Sequence, residues 1–321
     1  MKLNVFGESH SPEIGVEIDG LPSGLTIDLD ELQTFLDRRA PGRGQGGLST
    51  PRHEPDRPEF ASGVTAGSDD RHLVTDGARL RAVIRNTNIR PQDYANTATV
   101  PRPGHADYAS WLKTGLIPSG GGKWSGRLTA PLCIAGGIAL QELNRRGVSI
   151  TSSVKVPADV PEGDSVGGVV ELVAKSFPAG IGDVGTAGVE SRLAVAFFGI
   201  PAVKGVEFGD GFRLAEMRGS EANDAFEIAA GETGPRVRLR TNHCGGILGG
   251  VSVGMPIVAR LAFKPTPSIA LPQDSVDLVT LKSVKLTVKG RHDRCVAFRG
   301  AVAAEAAMAF ALLDLLLESA T

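Results

Sequence analysis

The sequence predicts an α+β fold, and three observations predict it. Short apolar or alternating stretches recur between turns rich in glycine and proline, the pattern of strands. Three longer stretches, 28–39, 129–145 and 302–318, carry helical spacing or an Ala- and Leu-rich composition instead. With 321 residues, 41% of them hydrophobic, the chain can bury a substantial core in one large domain or two small ones.

Composition excludes several classes of function. A formal net charge of -2 argues against non-specific nucleic-acid binding. The apolar runs fall short of a membrane span, and the chain enters a strand-like pattern at Lys2-Leu3 with no signal peptide. Cys133, Cys244 and Cys295 are scattered, without C-x-x-C spacing, and fit a reduced cytoplasmic protein better than a disulfide framework or a zinc site. With 41 Gly and 20 Pro against 5% aromatics, much of the chain is spent on shaped loops, which suits a metabolic enzyme.

Taken in order, Ile14 to Gly20 alternate and read as a strand ending in a turn, so Glu8-Ser9-His10 lie in a polar loop just before it. Asp28 caps a helix that places Leu29, Leu32, Phe35 and Leu36 on one face and stops ahead of Pro41. A glycine-rich basic loop follows with Arg52, His53 and Arg57, readable as a lid or as an anion clamp. Residues 60–100 alternate weakly apart from a strand at 80–86. Pro101, Pro103 and Gly104 then hold Arg102 and His105 in one rigid turn. A second glycine-rich basic loop, Gly120 to Arg127, runs into the helix 129–145, with Thr129 as candidate cap, Pro131 in the first turn and Gly147 as the stop. Such a loop is a ready anion site, although it lacks the P-loop spacing. Strands at 148–156 and 167–173, a short helix at 188–198 and a strand from 200 follow. A long polar excursion then covers 216–244.

The rest of the chain is arranged around residues 245–268. Gly245-Gly246 and Gly249-Gly250 precede Gly254 and the strand-like run Ile257 to Phe263, which delivers Lys264, Thr266 and Ser268 on a loop stiffened by Pro265 and Pro267. Backbone donors, a cation and hydroxyls at one strand end suit a phosphate. A tight hairpin with a stiff exit would use the same residues. A strand-like stretch at 282–288 and the segment Lys289 to Cys295 come before the closing helix 302–318.

Four loops therefore carry the polar chemistry: Glu8 to His10, Arg102 with His105, Lys123 to Arg127, and Arg291-His292-Asp293. Rigid basic loops on an apolar, strand-rich scaffold suit a small polyanion bearing a phosphate and carboxylates, to both of which arginine pairs bidentately. Histidines beside such anions could protonate a leaving phosphate. Metal binding is the competing use of His10, His105, His243, His292 and Asp293, but no H-x-x-x-H or H-x-x-E spacing supports it.

In order along the chain, several motifs resemble the chorismate synthase family. They are FGESH (6–10), RRAPGR (38–43), STPRHEPD (49–56), RPGHADY (102–108), SGGG (119–122) and PAVKGVEFGDGF (201–212), then RGSEAND (218–224), GGILGGVSVGMPIVARLAFKPTPSI (245–269) and KGRHDRC (289–295). The resemblance implies one domain over 1–321 with a β–α–β sandwich, usually assembled as a homotetramer. It implies a cytoplasmic lyase of the shikimate pathway that converts 5-enolpyruvylshikimate 3-phosphate to chorismate and phosphate by 1,4-elimination, using reduced FMN. NADPH enters only where a member reduces its own flavin. By the same resemblance His10 and His105 are acids and Asp293 assists deprotonation at the flavin. Arg39, Arg102 and Arg127 would hold the phosphorylated small-molecule substrate. Lys123, Trp124, Ser125, Ala202, Gly249, Lys264, Pro265, Thr266, Pro267, Ser268 and Arg291 would hold the flavin. No metal, nucleic acid or membrane is implied.

Departures from the family pattern cluster at one loop. Lys123, Trp124 and Leu128 stand where the family has Arg, Ser and Glu; Ser11 replaces a glycine, Arg294 a proline, and Gly47 a second basic residue. These changes give a second reading: a catalytically weakened homologue that binds flavin or a phosphorylated ligand without efficient turnover.

Overall fold

In the computed structural model, which describes residues 1–42, 48, 50, 54–86, 97–231, 234–288 and 292–319, strands β1 (Lys2–Gly7) and β2 (Glu13–Asp19) open the chain. They pair antiparallel with Val5 opposite Val16, and the alternation buries Ile14, Val16 and Ile18. A short strand β3 (Thr26–Asp28) enters helix α1 (Leu29–Arg39). Asp28 caps it as expected, accepting from the N–H groups of Asp30 and Glu31 at 2.9 Å. Strands β4 (Pro58–Ser62), β5 (Val64–Ala66), β6 (His72–Thr75) and β7 (Leu80–Arg85) follow. Sequence pattern misses the first three because little of their surface is buried, so their side chains need not alternate. One sheet runs β1-β2-β7-β4, and a small one runs β3-β6-β5.

Helix α2 (Asp107–Thr114) has no side-chain cap at Ala106, which removes the signal that would announce it. Helix α3 (Thr129–Arg145) has the expected span, but Thr129 is not its cap. Leu128 is already helical, at φ -70 and ψ -4, at the end of a preceding 3₁₀ turn. Thr129 therefore sits inside the helix, where its Oγ1 donates to the Gly126 carbonyl at 2.7 Å. Then come β8 (Ser149–Lys155), β9 (Gly168–Lys175), α4 (Val189–Phe198), β10 (Val203–Phe208) and the single turn α5 (Gly219–Ala222). The polar excursion is a two-stranded arm, β11 (Phe226–Gly231) with β12 (Gly234–Leu239). A short hairpin, β13 (Ile247–Leu248) and β14 (Val251–Ser252), precedes β15 (Ile257–Phe263). Strands β16 (Gln273–Asp277) and β17 (Lys282–Leu286) form a last hairpin before helix α6 (Ala297–Glu318). The second large sheet runs β10-β15-β9-β8, and along β15 Ile257, Ala259, Leu261 and Phe263 turn into the core.

The two four-stranded sheets enclose a helical layer. Helix α3 lies on β2 and β7, α6 lies on β8 and β9, and the two helices run against each other between them, with α1 alongside both. This is the β–α–β sandwich expected from the family resemblance. The helices approach so closely that a Cβ on Gly136 of α3 would stand 2.2 Å from the Cα of Ala306 on α6. Small residues at 301, 303, 304, 306 and 307 make that approach possible. Helix α6 begins five residues before the expected 302, because Arg299 breaks the apolar composition without breaking the helix. Contrary to the reading of apolar runs, α6 is the one described helix long and apolar enough by composition to cross a membrane. Its most apolar 18-residue stretch is 89% buried inside the molecule, which marks it as the core helix of this sandwich.

Candidate active site

A turn of three consecutive glycines supports the site, and Gly120 lines its cavity. Gly120, Gly121 and Gly122 have φ of 62, 88 and 52°, a run that no residue with a Cβ adopts without strain. A Cβ on Gly120 would lie 2.2 Å from His10 Cε1, and one on Gly121 would lie 2.9 Å from His105 Cε1. The bare backbone is thus wedged between two imidazoles carried by distant loops. The His10 loop is stitched to this turn, since Ser9 N–H donates to the Gly122 carbonyl at 3.2 Å and Ser9 Oγ to the Ser119 carbonyl at 3.1 Å. His10 Nδ1 lies 3.2 Å from the same Ser119 oxygen; a carbonyl only accepts, so this contact favours the Nδ1–H form.

On the other side of the glycines, His105, Arg102 and Asp107 share one knot. The Asp107 carboxylate accepts from His105 Nδ1 at 2.6 Å and from Arg102 Nε and NH2 at 2.7 and 2.8 Å. Arg102 NH1 continues to Ser268 Oγ at 3.1 Å, which ties the knot to the loop after β15. Burial opposes the charge on Asp107, but the hydrogen bonds from Arg102 and His105 outweigh it and hold the carboxyl well below the usual range. Burial also lowers the pKa of His105. The Asp107 hydrogen bond opposes that shift, while the charges of Arg102 and Lys264 add to it.

A second network closes the back wall. Arg39 is fully buried and donates to Asp56 at 2.5 Å and to Glu54 at 3.1 Å. Arg127 pairs with the same Asp56, with Glu54 at 3.3 Å and with Asn86 Oδ1 at 3.2 Å. Arg299 joins Glu54 at 2.9 Å to Asp293 at 3.0 Å, and Asp293 also accepts from the Thr50 N–H at 2.9 Å. Burial works against the Arg39 charge, yet Asp56 and Glu54 more than compensate and keep it protonated.

These elements surround a cavity of about 530 Å³, within the range of small-molecule sites. His10, His105 and Asp293 all reach it, and so do Arg39, Arg102 and Arg127. Lys123, Trp124, Ser125, Ala202, Lys264, Thr266, Pro267 and Ser268 line it as well. Trp124 is part of the wall, with Lys123 Nζ 4.7 Å from its ring centroid, and the cavity remains open beside it.

Three expected residues are not among the lining ones. Gly249 turns the β13–β14 hairpin, where a Cβ would meet nothing within 4 Å, and Pro265 is exposed between Lys264 and Thr266. Arg291 lies outside the described residues, as do Arg52, His53 and Gly47. The glycine pairs of the organising stretch are therefore structural. A Cβ on Gly245 would stand 2.3 Å from Gly209 N and one on Gly246 2.5 Å from the Pro256 carbonyl, so the hairpin reading holds there. The part of that stretch that lines the cavity is its exit loop.

Sequence reasoning passed over the partners. Asp107 sits two residues after His105, an H-x-D spacing that could have suggested an oriented imidazole. Glu54 and Asp56 stand inside the quoted STPRHEPD motif. Arg299 had no local signal. Its role depends on α6 beginning against the site. Among the described residues, Lys123, Lys204 and Lys264 line the cavity with no carboxylate at ion-pair distance, whereas the lining arginines are all paired. The buried Thr266 Oγ1 has no hydrogen-bond partner either.

The chorismate synthase family profile matches residues 1–160 and 157–317. Chorismate synthase of Lancefieldella parvula is 42% identical, covering 98% of this chain and 94% of the relative. Those of Korarchaeum cryptofilum and Thermococcus gammatolerans are 39% and 40% identical, each covering 99% of this chain and 96% of the relative. Among solved structures, a crystal structure of chorismate synthase superposes with a TM-score of 0.72 at 23% identity, over 99% of this chain and 92% of that one, a likeness of fold.

Proposed function

The chain belongs to the chorismate synthase family, and from that premise we propose how its own residues carry the lyase reaction of the shikimate pathway, from 5-enolpyruvylshikimate 3-phosphate to chorismate and phosphate. In that 1,4-elimination the C–O bond to phosphate breaks, a ring proton leaves and a new double bond forms. Reduced FMN, when bound, would supply electron density transiently as phosphate departs, with no net redox change. The cavity fits a flat group ending in a phosphate. Trp124 offers a face for stacking, and Lys123 and Lys264 line the cavity as cations suited to the phosphate. With them, Ser125, Ala202, Pro267 and Ser268 would hold it.

His105 is the acid for the leaving phosphate in this reading. Burial and the charges of Arg102 and Lys264 lower its pKa, and a phosphate dianion bound beside it would raise it, so the proton is acquired where it will be used. Arg102, pinned by Asp107, presents its guanidinium to the same anion. Arg39 and Arg127 act through the walls they brace with Asp56 and face the remaining carboxylates. His10, against Gly120, is the second acid in this reading, and Asp293, steadied by Arg299 and the Thr50 N–H, would accept a proton.

One observation carries the proposal: two imidazoles from separate loops meet neighbouring residues of one glycine turn beside a cation-rimmed cavity. The weakened-homologue reading is not favoured, because Trp124 leaves the cavity open and the acid–base residues converge. Anaerobic assay with reduced FMN and 5-enolpyruvylshikimate 3-phosphate should release phosphate; none at any enzyme concentration would refute the assignment. Oxidised FMN with NADPH in the same assay tests whether the chain reduces its own flavin. We also propose the homotetramer of the family, supported by Phe226, Ile228 and Val237, which are exposed on the β11–β12 arm. Light scattering after size exclusion measures it. The three free cysteines accord with the proposed cytoplasmic location.

A further inference from the structure

We propose that Asp107 is a positioning residue for this reaction: it fixes the proton of His105 on Nδ1 and, with the same carboxylate, sets the direction of Arg102. The inference rests on the reading of His105 as the acid. Asp107 opens helix α2 and is 1% exposed, so protein donors rather than water must satisfy its charge. They divide between its two oxygens. Oδ2 accepts from the Arg102 backbone N–H at 3.0 Å and from Nε at 2.7 Å, while Oδ1 accepts from Arg102 NH2 at 2.8 Å and from His105 Nδ1 at 2.6 Å. A carboxylate oxygen only accepts, so Nδ1 carries a proton in either charge state of the ring. The 3.1 Å approach of Arg102 NH2 to that nitrogen is then a contact and not a hydrogen bond.

The consequence lies at the other ring nitrogen. A second proton can add only at Nε2, on the edge of the ring beside the glycine turn, where a Cβ on Gly121 would lie 3.2 Å from Nε2. Arg102 and Lys264 are the cations acting on the ring, and Asp107 is the carboxylate that opposes them. One acidic side chain thus decides which nitrogen reacts, and the other end of the guanidinium it holds reaches Ser268.

Asp107→Asn keeps the shape and inverts the chemistry. Two Arg102 donors meet Oδ2 against one at Oδ1, so the amide oxygen keeps the Oδ2 place; the amide nitrogen takes the Oδ1 place, gives up the bond from Arg102 NH2 and donates to His105 Nδ1. The neutral ring must then hold its proton on Nε2. The test is ¹⁵N NMR of the histidine-labelled full chain, wild type and variant, with the pH profile of phosphate release under reduced FMN. Neutral His105 should be Nδ1–H in the wild type and Nε2–H in the variant. Turnover should fall about 10²-fold or more, the size of acid–base and tautomer effects. Activity that needs protonated His105 is lost as pH rises, and this limb should move to lower pH, because the group that raises the His105 pKa has gone. A wild-type Nε2–H ring, or a variant with the wild-type tautomer and rate, would overturn the proposal. If the variant fails to fold, the wild-type tautomer still decides it. Absent phosphate release from the wild type would count against the lyase reading instead.

Discussion

Replacing Gly121 by alanine separates a strained backbone from a displaced catalytic group. Gly121 has φ 88 and ψ 0, where a Cβ costs about 1–2 kcal/mol on steric grounds alone. Gly115, the C-cap of α2, has nearly the same conformation, φ 73 and ψ 7, with nothing within 4 Å of an added Cβ. Gly115→Ala therefore carries the strain without the collision. At Gly121 the new methyl would lie 2.9 Å from His105 Cε1. Carbon contacts settle near 3.5–4.0 Å, so the imidazole must retreat by roughly 0.6–1 Å. A misplacement of that size costs on the order of 10² in rate. Both variants should lose a few degrees of Tm, since 1 kcal/mol corresponds to about 2–4 °C in a chain of 150–250 residues and less in a longer one. Only Gly121→Ala should lose activity in the anaerobic phosphate-release assay. Equal kcat losses in the two variants, or a Gly121→Ala rate within about threefold of wild type, would show that the glycine does not exist to admit His105.

Removing the imidazole itself, His105→Ala, should lower turnover by about 10²-fold or more, and near-normal turnover would reject its role as acid. Phosphate binding at pH 7 should take up a proton in the wild type and not in His105→Gln, because the free ring has a pKa below its ordinary value and the anion raises it; calorimetry in buffers of different ionisation heat reads the difference. The same low pKa makes a stability claim. The unfolded chain binds the His105 proton more readily than the folded one, so this contribution is present above the ordinary histidine pKa of about 6.5 and is lost as pH falls below it. Asp56→Ala should destabilise by about 3–5 kcal/mol in denaturant unfolding, because it leaves the buried Arg39 short of its nearest anion. Gly136→Ala should cost about 1–3 kcal/mol by forcing α3 from the Ala306 backbone, and an unchanged Tm would show that the helix pair yields there.

Local signals made much of this legible in advance. Asp28 capping α1, the alternation of β1 and β2, and the glycine and proline bracketing of His105 and Lys123 are properties of short windows, and short windows carry them. The Gly120–Gly122 turn was legible as a basic, glycine-rich loop, but its purpose was not, since the two imidazoles that require bare backbone come from residues 10 and 105. Gly245 to Gly250 look like a ligand cradle by the same criterion and are a hairpin, because what distinguishes them is Gly209 and Pro256 approaching from elsewhere. Helix α2 was missed for want of a capping side chain, and the start of α6 because a charged Arg299 interrupts an otherwise apolar face.

Charge partition in the cavity explains why composition could not separate ligand cations from structural ones. Among the described residues Arg39, Arg127 and Arg299 meet Glu54, Asp56 and Asp293 in one network, and Arg102 pairs with Asp107. Guanidinium suits this work because its planar fork satisfies two acceptors at once, so the walls can be buried without leaving a bare charge. Lys123, Lys204 and Lys264 lack such partners among the described residues, and burial with the neighbouring Lys204 charge lowers the pKa of Lys264. In the proposed reading an entering anion would be attracted by these lysines and oriented by arginines whose directions are already set.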